Sequence, residues 1–436
     1  MKSTNVILGV IVAVMLPQQS AAAEGSSAVQ AMQAARAAET AMEARDFEAA
    51  IAQLETAVEL RPDFPQLWVD FARAQVGASR LDEAVATLGR YARLGLHSPV
   101  DKSEDFSPLR SRKDFQAVTK TIAANAHPKG EGEVAFTLRD VTGLIEGIAW
   151  REKTGEFYFG DVHHRAVWAR NKAGSLRRFT PEGDDLLGVH GLAVDEGNAA
   201  LWAATAGVST MRGYSAEMAG SAALVEIDLE SGAIRRTLAV PRAAGRDAAH
   251  LLADIAVAPD GSVFATDAAM PIVWRLRPGG TALERFSEST EFFALQGIRF
   301  LPTGIAVIAD KVNGLLRMDE RGQVARLDTP PDTTLVEIKG LGVSEEGRVV
   351  AIQTDVRPSR VLGLSFDGSA ESITEVMVLQ SGHLAMGAPA FGCFATGGDF
   401  FFVGNSGASR FIGPDAQPTP PRQVPIMRTK LTKAKK

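Results

Sequence analysis

The stretch that decides the fold is ADIAVAPDGSVFATD, which runs from Ala253 to Asp267. Two short runs rich in apolar and β-branched residues flank the turn sequence Pro259-Asp260-Gly261. This pattern predicts two antiparallel strands joined by a tight turn, followed by a turn residue at Asp267. The same arrangement returns along the chain, so the stretch is one copy of a repeated unit rather than a single hairpin.

Each copy can be marked by the residue that begins its first apolar run. The markers are Gly147, Gly191, Asp254, Gly297, Gly340 and Ala390, at intervals of 43 to 63 residues. A turn residue follows each marker after 13 to 15 positions: Asp161, Thr205, Asp267, Asp310, Asp355 and Asn405. Two further strands complete each unit. Six units of four strands predict a six-bladed β-propeller over residues 136–431, closed by the strands AFTLRDV and QVPIMRTKL.

Residues 24–125 have a different periodicity, which is helical. The segment Asp46 to Leu60 matches the segment Arg80 to Leu94 at an offset of 34 residues, the tetratricopeptide period. We therefore predict an all-α, tetratricopeptide-like domain of up to two repeats, joined to the propeller by a linker over residues 126–135. So few repeats need a surface to pack against, which leaves two roles open: a structural cap, or a site that binds a protein partner.

The first residues indicate export. Lys2 precedes an apolar run from Val6 to Leu16, and small residues end the segment at Ala23. This pattern predicts a cleaved signal peptide over residues 1–23 and a periplasmic or secreted protein without an integral membrane segment. The alternative is a retained anchor, although the run is short for a membrane span. Residues 432–436 form a basic tail, and the net charge of −6 argues against nucleic acid as a partner.

The residue before each marker is expected to point into the mouth of the central channel, because the first strand of each blade lines that channel. These residues are Glu146, His190, Ala253 (with Asp254 next), Gln296, Lys339 and Pro389. Hard divalent cations require six to eight oxygen ligands, and this set offers few. Lys339 brings a positive charge to the same mouth.

The propeller region resembles the SMP-30/gluconolactonase/LRE-like family. The stretches IEGIAW, ADIAVAPDGSVFATD, LQGIRF and IKGLGVSEEG carry the resemblance. It implies a divalent metal, such as calcium or zinc, held in the channel by a Glu, two Asn and an Asp at strand starts. In this chain those positions are occupied by Glu146, Ala253, Gln296 and Lys339, so one of the four family ligands is kept.

Two functions follow from these residues. As a hydrolase of lactones or related esters, the chain would hold a metal through Glu146, Asp254 and Gln296. A metal-free variant would use Lys339 for the oxyanion and Glu146 or His190 as the base.

The function that we favour is a binding or scaffold module with a degenerate metal site. A small anion, a sugar or a peptide would bind at its channel mouth. His250 and His383 precede inner strands and are further candidates for ligand binding there.

Overall fold

The computed structural model describes residues 26–141, 143–183, 186–241, 249–411 and 422–431. The predicted signal peptide (1–23) and basic tail (432–436) lie outside these residues. The chain divides into two compact units, Met1–Leu88 and Gly89–Lys436. Among the described residues, no helix combines the length and the apolar character needed to cross a membrane.

The first unit is helical, as predicted. It contains α1 (Ser27–Glu43), α2 (Phe47–Leu60) and α3 (Pro65–Gly77), and α4 (Leu81–Arg93) begins in it. The side chain of Asp46 caps α2 by accepting a hydrogen bond from the Ala49 amide at 3.1 Å. Gly77 permits the approach of α2, because a Cβ at this position would lie 2.4 Å from the Phe47 ring. A buried ion pair between Arg61 and Asp63 fixes the turn after α2.

The second unit contains α5 (Lys113–Ala124) and then six sheets that follow one another along the chain. Blade 1 contains β3 (Ile145–Arg151), β4 (Glu156–Asp161), β5 (Ala166–Arg170) and β6 (Leu176–Arg178). Blade 2 contains β7 (Gly188–Asp195), β8 (Ala200–Ala206), β9 (Ala222–Asp228) and β10 (Ile234–Ala239). Blade 3 contains β11 (Leu252–Val257), β12 (Val263–Asp267), β13 (Ile272–Leu276) and β14 (Glu284–Glu288).

Blade 4 contains β15 (Leu295–Phe300), β16 (Ala306–Asp310), β17 (Gly314–Met318) and β18 (Val324–Arg326). Blade 5 contains β19 (Ile338–Val343), β20 (Val349–Gln353), β21 (Arg360–Phe366) and β22 (Ile373–Ser381), with the short β1 (Lys129–Gly130) on its outer edge. Blade 6 contains β23 (Gly392–Phe394), β24 (Phe400–Val403), β25 (Arg422–Thr429) and β2 (Glu133–Val141). The first strand of each blade contacts that of the next, and β23 contacts β3, which closes the ring.

Blade 6 joins the two ends of the propeller region. Its sheet order is β2-β25-β24-β23, so the outermost strand comes from before blade 1. Phe136 of β2 lies opposite Ile426 of β25, which in turn lies opposite Val403 of β24. The two strands predicted to close the ring therefore do so, and the six-bladed fold is confirmed.

Buried carboxylates explain the turn residue of the repeat. Asp310, at the end of β16, is fully buried and accepts hydrogen bonds of 2.8 Å from the amides of Phe293 and Ala294, before the first strand of the same blade. In blade 5 the corresponding residue is Gln353, which pairs with Ile338 at the end of β20. The prediction that Asp355 fills this position is wrong by two residues.

The chain before the propeller also binds blade 5 within the second unit. The His97 amide donates to the Arg357 carbonyl at 2.7 Å, and Arg360 Nη1 donates to the Leu94 carbonyl at 3.0 Å. Arg360 is buried, and its burial lowers the pKa of the guanidinium to about 10. Residues 94–97 are therefore part of the hydrogen-bonded structure of this blade.

Candidate functional site

A β-bulge lies at the marker of five blades. The pairing of the first two strands shifts register between Ile145 and Gly147 in blade 1 and between Ile338 and Gly340 in blade 5, and at the matching positions of blades 2, 3 and 4. A bulge inserts a residue that has no direct partner and re-aims its side chain. A charged residue can thus begin a buried strand, because the bulge turns it out of the pleat.

The glycines that mark the repeat allow neighbouring blades to approach closely. A Cβ on Gly147 would lie 2.1 Å from the His190 carbonyl oxygen, and one on Gly340 would lie 2.7 Å from the Ala390 carbonyl oxygen. Real Cβ atoms do not come this close to backbone atoms, so these positions exclude larger residues. The marker glycines are therefore packing residues of the inner ring.

Three predicted site residues meet near the channel axis. Lys339 Nζ of blade 5 lies 2.5 Å from Glu146 Oε1, and His190 Nδ1 of blade 2 lies 2.9 Å from Glu146 Oε2. We call these three residues the Glu146 cluster. Side chains from blades 1, 2 and 5 can meet in this way only where the blades converge. These three residues, each immediately before a marker, therefore lie where blades 1, 2 and 5 converge.

The Glu146 carboxylate is ionised. Its burial would raise the pKa, but the Lys339 ammonium and the hydrogen bond from His190 outweigh burial and hold the pKa well below its usual range. Because a carboxylate only accepts hydrogen bonds, His190 Nδ1 carries the proton that it donates. Glu146 is 8% exposed, so its carboxylate is largely shielded from water. Each of its two oxygens is engaged by one donor.

A second ion pair joins the other three blades. Arg299 Nη1 lies 2.6 Å from Asp254 Oδ2, and Arg299 Nη2 lies 3.4 Å from the Gly392 carbonyl oxygen of blade 6. Asp254 is 1% exposed, and burial raises its pKa although Arg299 opposes the shift. Sequence reasoning missed Arg299. Its signal was a cation inside the short inner strand LQGIRF, which does not identify the partner of that cation.

The other predicted site residues have separate partners. His250 Nδ1 lies 2.6 Å from Asp267 Oδ2, and its ring meets Trp274 edge-on. His383 is half-buried, and its Nδ1 accepts a hydrogen bond from the Ala385 amide at 3.0 Å. Gln296 is 9% exposed, and its main-chain carbonyl accepts a hydrogen bond from the Thr266 hydroxyl at 2.6 Å. The contacts of both histidines are thus local, and their role in ligand binding stays a prediction.

The residues at the hub do not fit a calcium or zinc site. Within the described ranges, no group of three or more His, Cys, Asp or Glu side chains is placed to hold a metal ion. Asp254 pairs with Arg299, and both oxygens of Glu146 are engaged, one of them by an ammonium. A protonated lysine cannot ligate a metal and repels a dication. Glu146, Asp254 and Gln296 therefore do not form, in the described structure, the metal site predicted from the sequence.

Comparison with known proteins gives one family match. The tetratricopeptide repeat family model matches residues 41–96, which confirms the predicted repeat in the helical region. No curated protein matches the sequence of this chain.

Solved structures similar to the propeller region include three enzymes. A luciferin-regenerating enzyme shows 13% identity over 67% of this chain and 93% of its own, with a TM-score of 0.46. A PQQ-bound aldose sugar dehydrogenase from Streptomyces coelicolor shows 13% identity over 70% and 100%, with a TM-score of 0.45. Virginiamycin B lyase from Staphylococcus aureus shows 14% identity over 63% and 82%, with a TM-score of 0.44. At these identities no activity or substrate carries over to this chain, whose fold rests on its own sheet topology.

Proposed function

We propose that this chain is an exported, non-catalytic binding module whose hub has lost the metal site implied by its resemblance. The observation that carries the proposal is the ion pair of Lys339 Nζ and Glu146 Oε1 at 2.5 Å. It neutralises the one family ligand that is kept, so the driving force for cation binding is removed. Export rests on the composition of residues 1–23.

The proposed ligand is a small polar anion, such as a sugar acid, at the channel mouth. The Lys339 side chain is 17% exposed and lies beside the Phe391 ring. An ammonium has three donors, and Glu146 takes one of them. The remaining donors can receive a ligand carboxylate without breaking the existing pair.

One observation favours the alternative function, a metal-free hydrolase of lactones or esters. Glu146 orients the His190 imidazole through Nδ1, as a carboxylate orients a general base. However, His190 Nε2 is buried and has no hydrogen-bond partner among the described residues. A substrate would have to open the hub to reach this nitrogen, so the geometry supports binding better than catalysis.

The helical region is proposed either to recruit a protein partner or to act as a structural cap. The tetratricopeptide match over residues 41–96 supports a helical-repeat surface and does not distinguish the two roles. Deletion of residues 24–88 from the exported protein should abolish partner capture in the first case and only lower stability in the second.

The experiment that tests the proposal combines metal analysis with a hydrolysis screen of lactones and aryl esters, with and without chelator. We expect no stoichiometric metal and no turnover, and we expect gluconate, but not glucose, to raise the melting temperature. Lys339→Met should remove the gluconate effect. Turnover that Glu146→Gln or His190→Gln abolishes would instead establish the hydrolase, and equal stabilisation by glucose would exclude an anion site at Lys339.

A further inference from the structure

A groove lies between blade 6 and blade 1, away from the hub. It encloses a cavity of about 390 Å³, whose lining includes Phe136, Trp150, Phe157, Phe401, Arg170 and Lys172. A second cavity of about 370 Å³ shares Phe136 and Arg170 with the first. Volumes of this size accept small molecules. Trp150 lies near the end of β3 opposite to Glu146, so the groove is distinct from the Glu146 cluster.

The apolar wall of the groove is aromatic. The Phe157 ring lies 4.5 Å from Trp150, 5.1 Å from Phe401 and 5.4 Å from Phe136, measured between ring centroids. Phe157 is buried, whereas the other three rings are partly exposed to the groove. Tilted rings at these distances form a continuous surface on which a further ring can pack.

Ring closure produces this wall. The pairing of β2 with β25 shifts register between Val134 and Phe136, so a bulge lies where β2 borders the groove. Val134, at the edge of the cavity, is 40% exposed and is one of the few large apolar side chains that the described surface presents to solvent. The groove is thus an exposed apolar surface at the joint between the two ends of the propeller.

Arg170 lines both cavities and has open donors. Its guanidinium stacks 3.9 Å above the Phe136 ring, and no hydrogen bond or ion pair joins it to any residue that the structure describes. Desolvation lowers the pKa of Arg170, which nevertheless remains a cation with five N–H donors. A partly buried guanidinium without an anion is a ready partner for a carboxylate.

Two other stacked arginines of the propeller show what Arg170 lacks. Arg275 stacks on Phe286 and pairs with Glu284 at 2.5 Å. Arg236 stacks on Trp202 and pairs with Glu226 at 2.5 Å. In both cases a carboxylate of the same sheet satisfies the guanidinium. At Arg170 the protein supplies the aromatic face but, within the described chain, no carboxylate.

The lining of the cavity carries a net positive charge, and the nearby Glu152 carboxylate, outside the lining, accepts a hydrogen bond from the Trp150 indole at 2.8 Å. Lys172 is exposed at the rim, and its side chain passes close to Gly155 and thus to the Trp150 ring. The one carboxylate of the lining, Glu133, is paired with Arg428 and is therefore neutralised. Arg170 and Lys172 are thus two cations of the lining that can bind an anionic ligand.

We propose that this groove binds a small aromatic carboxylate, whose ring packs against Phe136 and Trp150 and whose carboxylate is held by Arg170 and Lys172. The site goes beyond the function proposed for the hub and shares no residue with it. Charge-assisted hydrogen bonds to the guanidinium supply specificity for the anion, and burial of the ring supplies most of the affinity.

Calorimetric titration of the exported protein with 4-phenylbutyrate tests the proposal. The neutral amide 4-phenylbutyramide and the ring-free anion acetate are the matched probes. We expect 4-phenylbutyrate to bind, the amide to bind about tenfold more weakly because one charge-assisted hydrogen bond is lost, and acetate to give no detectable heat. Equal binding of the amide, or no binding of 4-phenylbutyrate up to about 10 mM, overturns the proposal.

Variants locate the binding to the groove. Arg170→Gln should weaken 4-phenylbutyrate about tenfold and Lys172→Gln about threefold. Lys172 is exposed, so that variant stays informative if Arg170→Gln is poorly folded. The control is Arg177→Gln, because Arg177 lies on β6 outside the lining, stacks on Phe179 and is 53% exposed. Wild-type affinity in both groove variants would show that the probe binds elsewhere.

Discussion

Glu146 carries its charge in a largely buried position because donors from two other blades reach it. Lys339 and His190 each engage one carboxylate oxygen, which leaves no lone charge at the hub. Removing one partner of such a pair is costly, since the remaining charge stays desolvated. The hub is therefore a stability element as well as a candidate binding site.

Replacing Glu146 by Gln should lower the free energy of unfolding by about 3 kcal/mol at pH 7, because the Lys339 ammonium loses its counter-charge. The folded-state pKa of Glu146 is lowered, so this contribution is fully present above the ordinary glutamate pKa of about 4.3 and is lost as the pH falls further. Urea denaturation of both proteins from pH 8 to pH 3 measures the difference, which should shrink below about pH 4.

Glu371→Gln is the matched control, because Glu371 pairs with Arg317 at 3.1 Å but is 61% exposed. Exposed pairs contribute about 0–1 kcal/mol, so this variant should be nearly as stable as the parent. Equal losses in the two variants would contradict a buried pair at the hub.

Glu337 responds to pH in the opposite sense. Burial raises its pKa to about 7, helped by neighbouring Asp355 and Asp310 and opposed by Lys311 at 3.5 Å. Ionisation of Glu337 therefore lowers the free energy of unfolding. The stabilisation by the protonated form is fully present below about pH 4.3 and is lost as the pH rises through 7.

Glu337→Gln should flatten the fall in melting temperature between pH 5 and pH 8, because the variant has no proton to lose there. The parent should lose up to about 3 kcal/mol relative to the variant over this range. Thermal unfolding at closely spaced pH values measures it, with Glu345→Gln on an exposed turn as the control. Parallel curves for parent and Glu337→Gln would rule out this titration.

The sequence located Glu146, His190 and Lys339 but not Arg299. The first three stand immediately before markers, and the repeat predicts that side chains at these positions point into the channel. Arg299 follows a bulge, and a bulge changes which alternate residues face the channel. Because a bulge has no reliable signature in a single sequence, the pairing of Arg299 with Asp254 could not be predicted.

At the scale of the element, the first strands of the blades depend on close backbone approach. Gly147→Ala should destabilise the protein by about 2–4 kcal/mol, because the added Cβ would lie 2.1 Å from the His190 carbonyl oxygen. Chemical denaturation measures the loss. Gly368→Ala provides the control, since a Cβ there meets nothing within 4 Å. A change below about 1 kcal/mol at Gly147 would show that neighbouring strands move apart readily.

Strand spacing was predictable and strand ends were less so. The repeat found each first strand, because a turn residue follows each marker after 13 to 15 positions. It misplaced the turn residue of blade 5, where Asp355 follows the true position by two residues and pairs instead with Lys311 at 2.5 Å. Gln353 binds the preceding loop in the opposite sense to the aspartates: its side-chain amide donates to the Val336 carbonyl at 2.6 Å, whereas Asp310 accepts from backbone amides. An amide in that position is invisible to a pattern built on aspartate.

At the scale of the whole molecule, blade 6 closes the ring, and its core residues should matter accordingly. Ile426 is fully buried in β25, in a cluster that joins blade 6 to blade 1. Ile426→Ala should lower the free energy of unfolding by about 2–5 kcal/mol, since it leaves a cavity at the closure. Val134 on the adjoining β2 is 40% exposed, so Val134→Ala should lower the free energy of unfolding by less than about 1 kcal/mol. Similar values for the two would argue against a tightly packed closure.

The whole architecture was visible in the sequence because it is repetitive. The helical region repeats every 34 residues and the propeller every 43 to 63, which distinguishes the two regions. The boundary itself was not visible: residues 94–97 belong with blade 5 through Arg360, and Lys129–Gly130 adds a strand to that blade inside the predicted linker. Such tertiary contacts join single residues outside the repeat, so the periodicity of the sequence does not predict them.

The shared sheet of β2 and β25 also sets an order of events during biosynthesis. The outermost strand of blade 6 leaves the ribosome before blade 1, but its hydrogen-bonding neighbour β25 is synthesised only after blades 1 to 5. Until that segment emerges, the nascent molecule is an open arc with unpaired strand edges on both sides of the gap, which are prone to aggregation. The ring can therefore close only after β25 has been synthesised, so folding of blade 6 is the last step of propeller assembly.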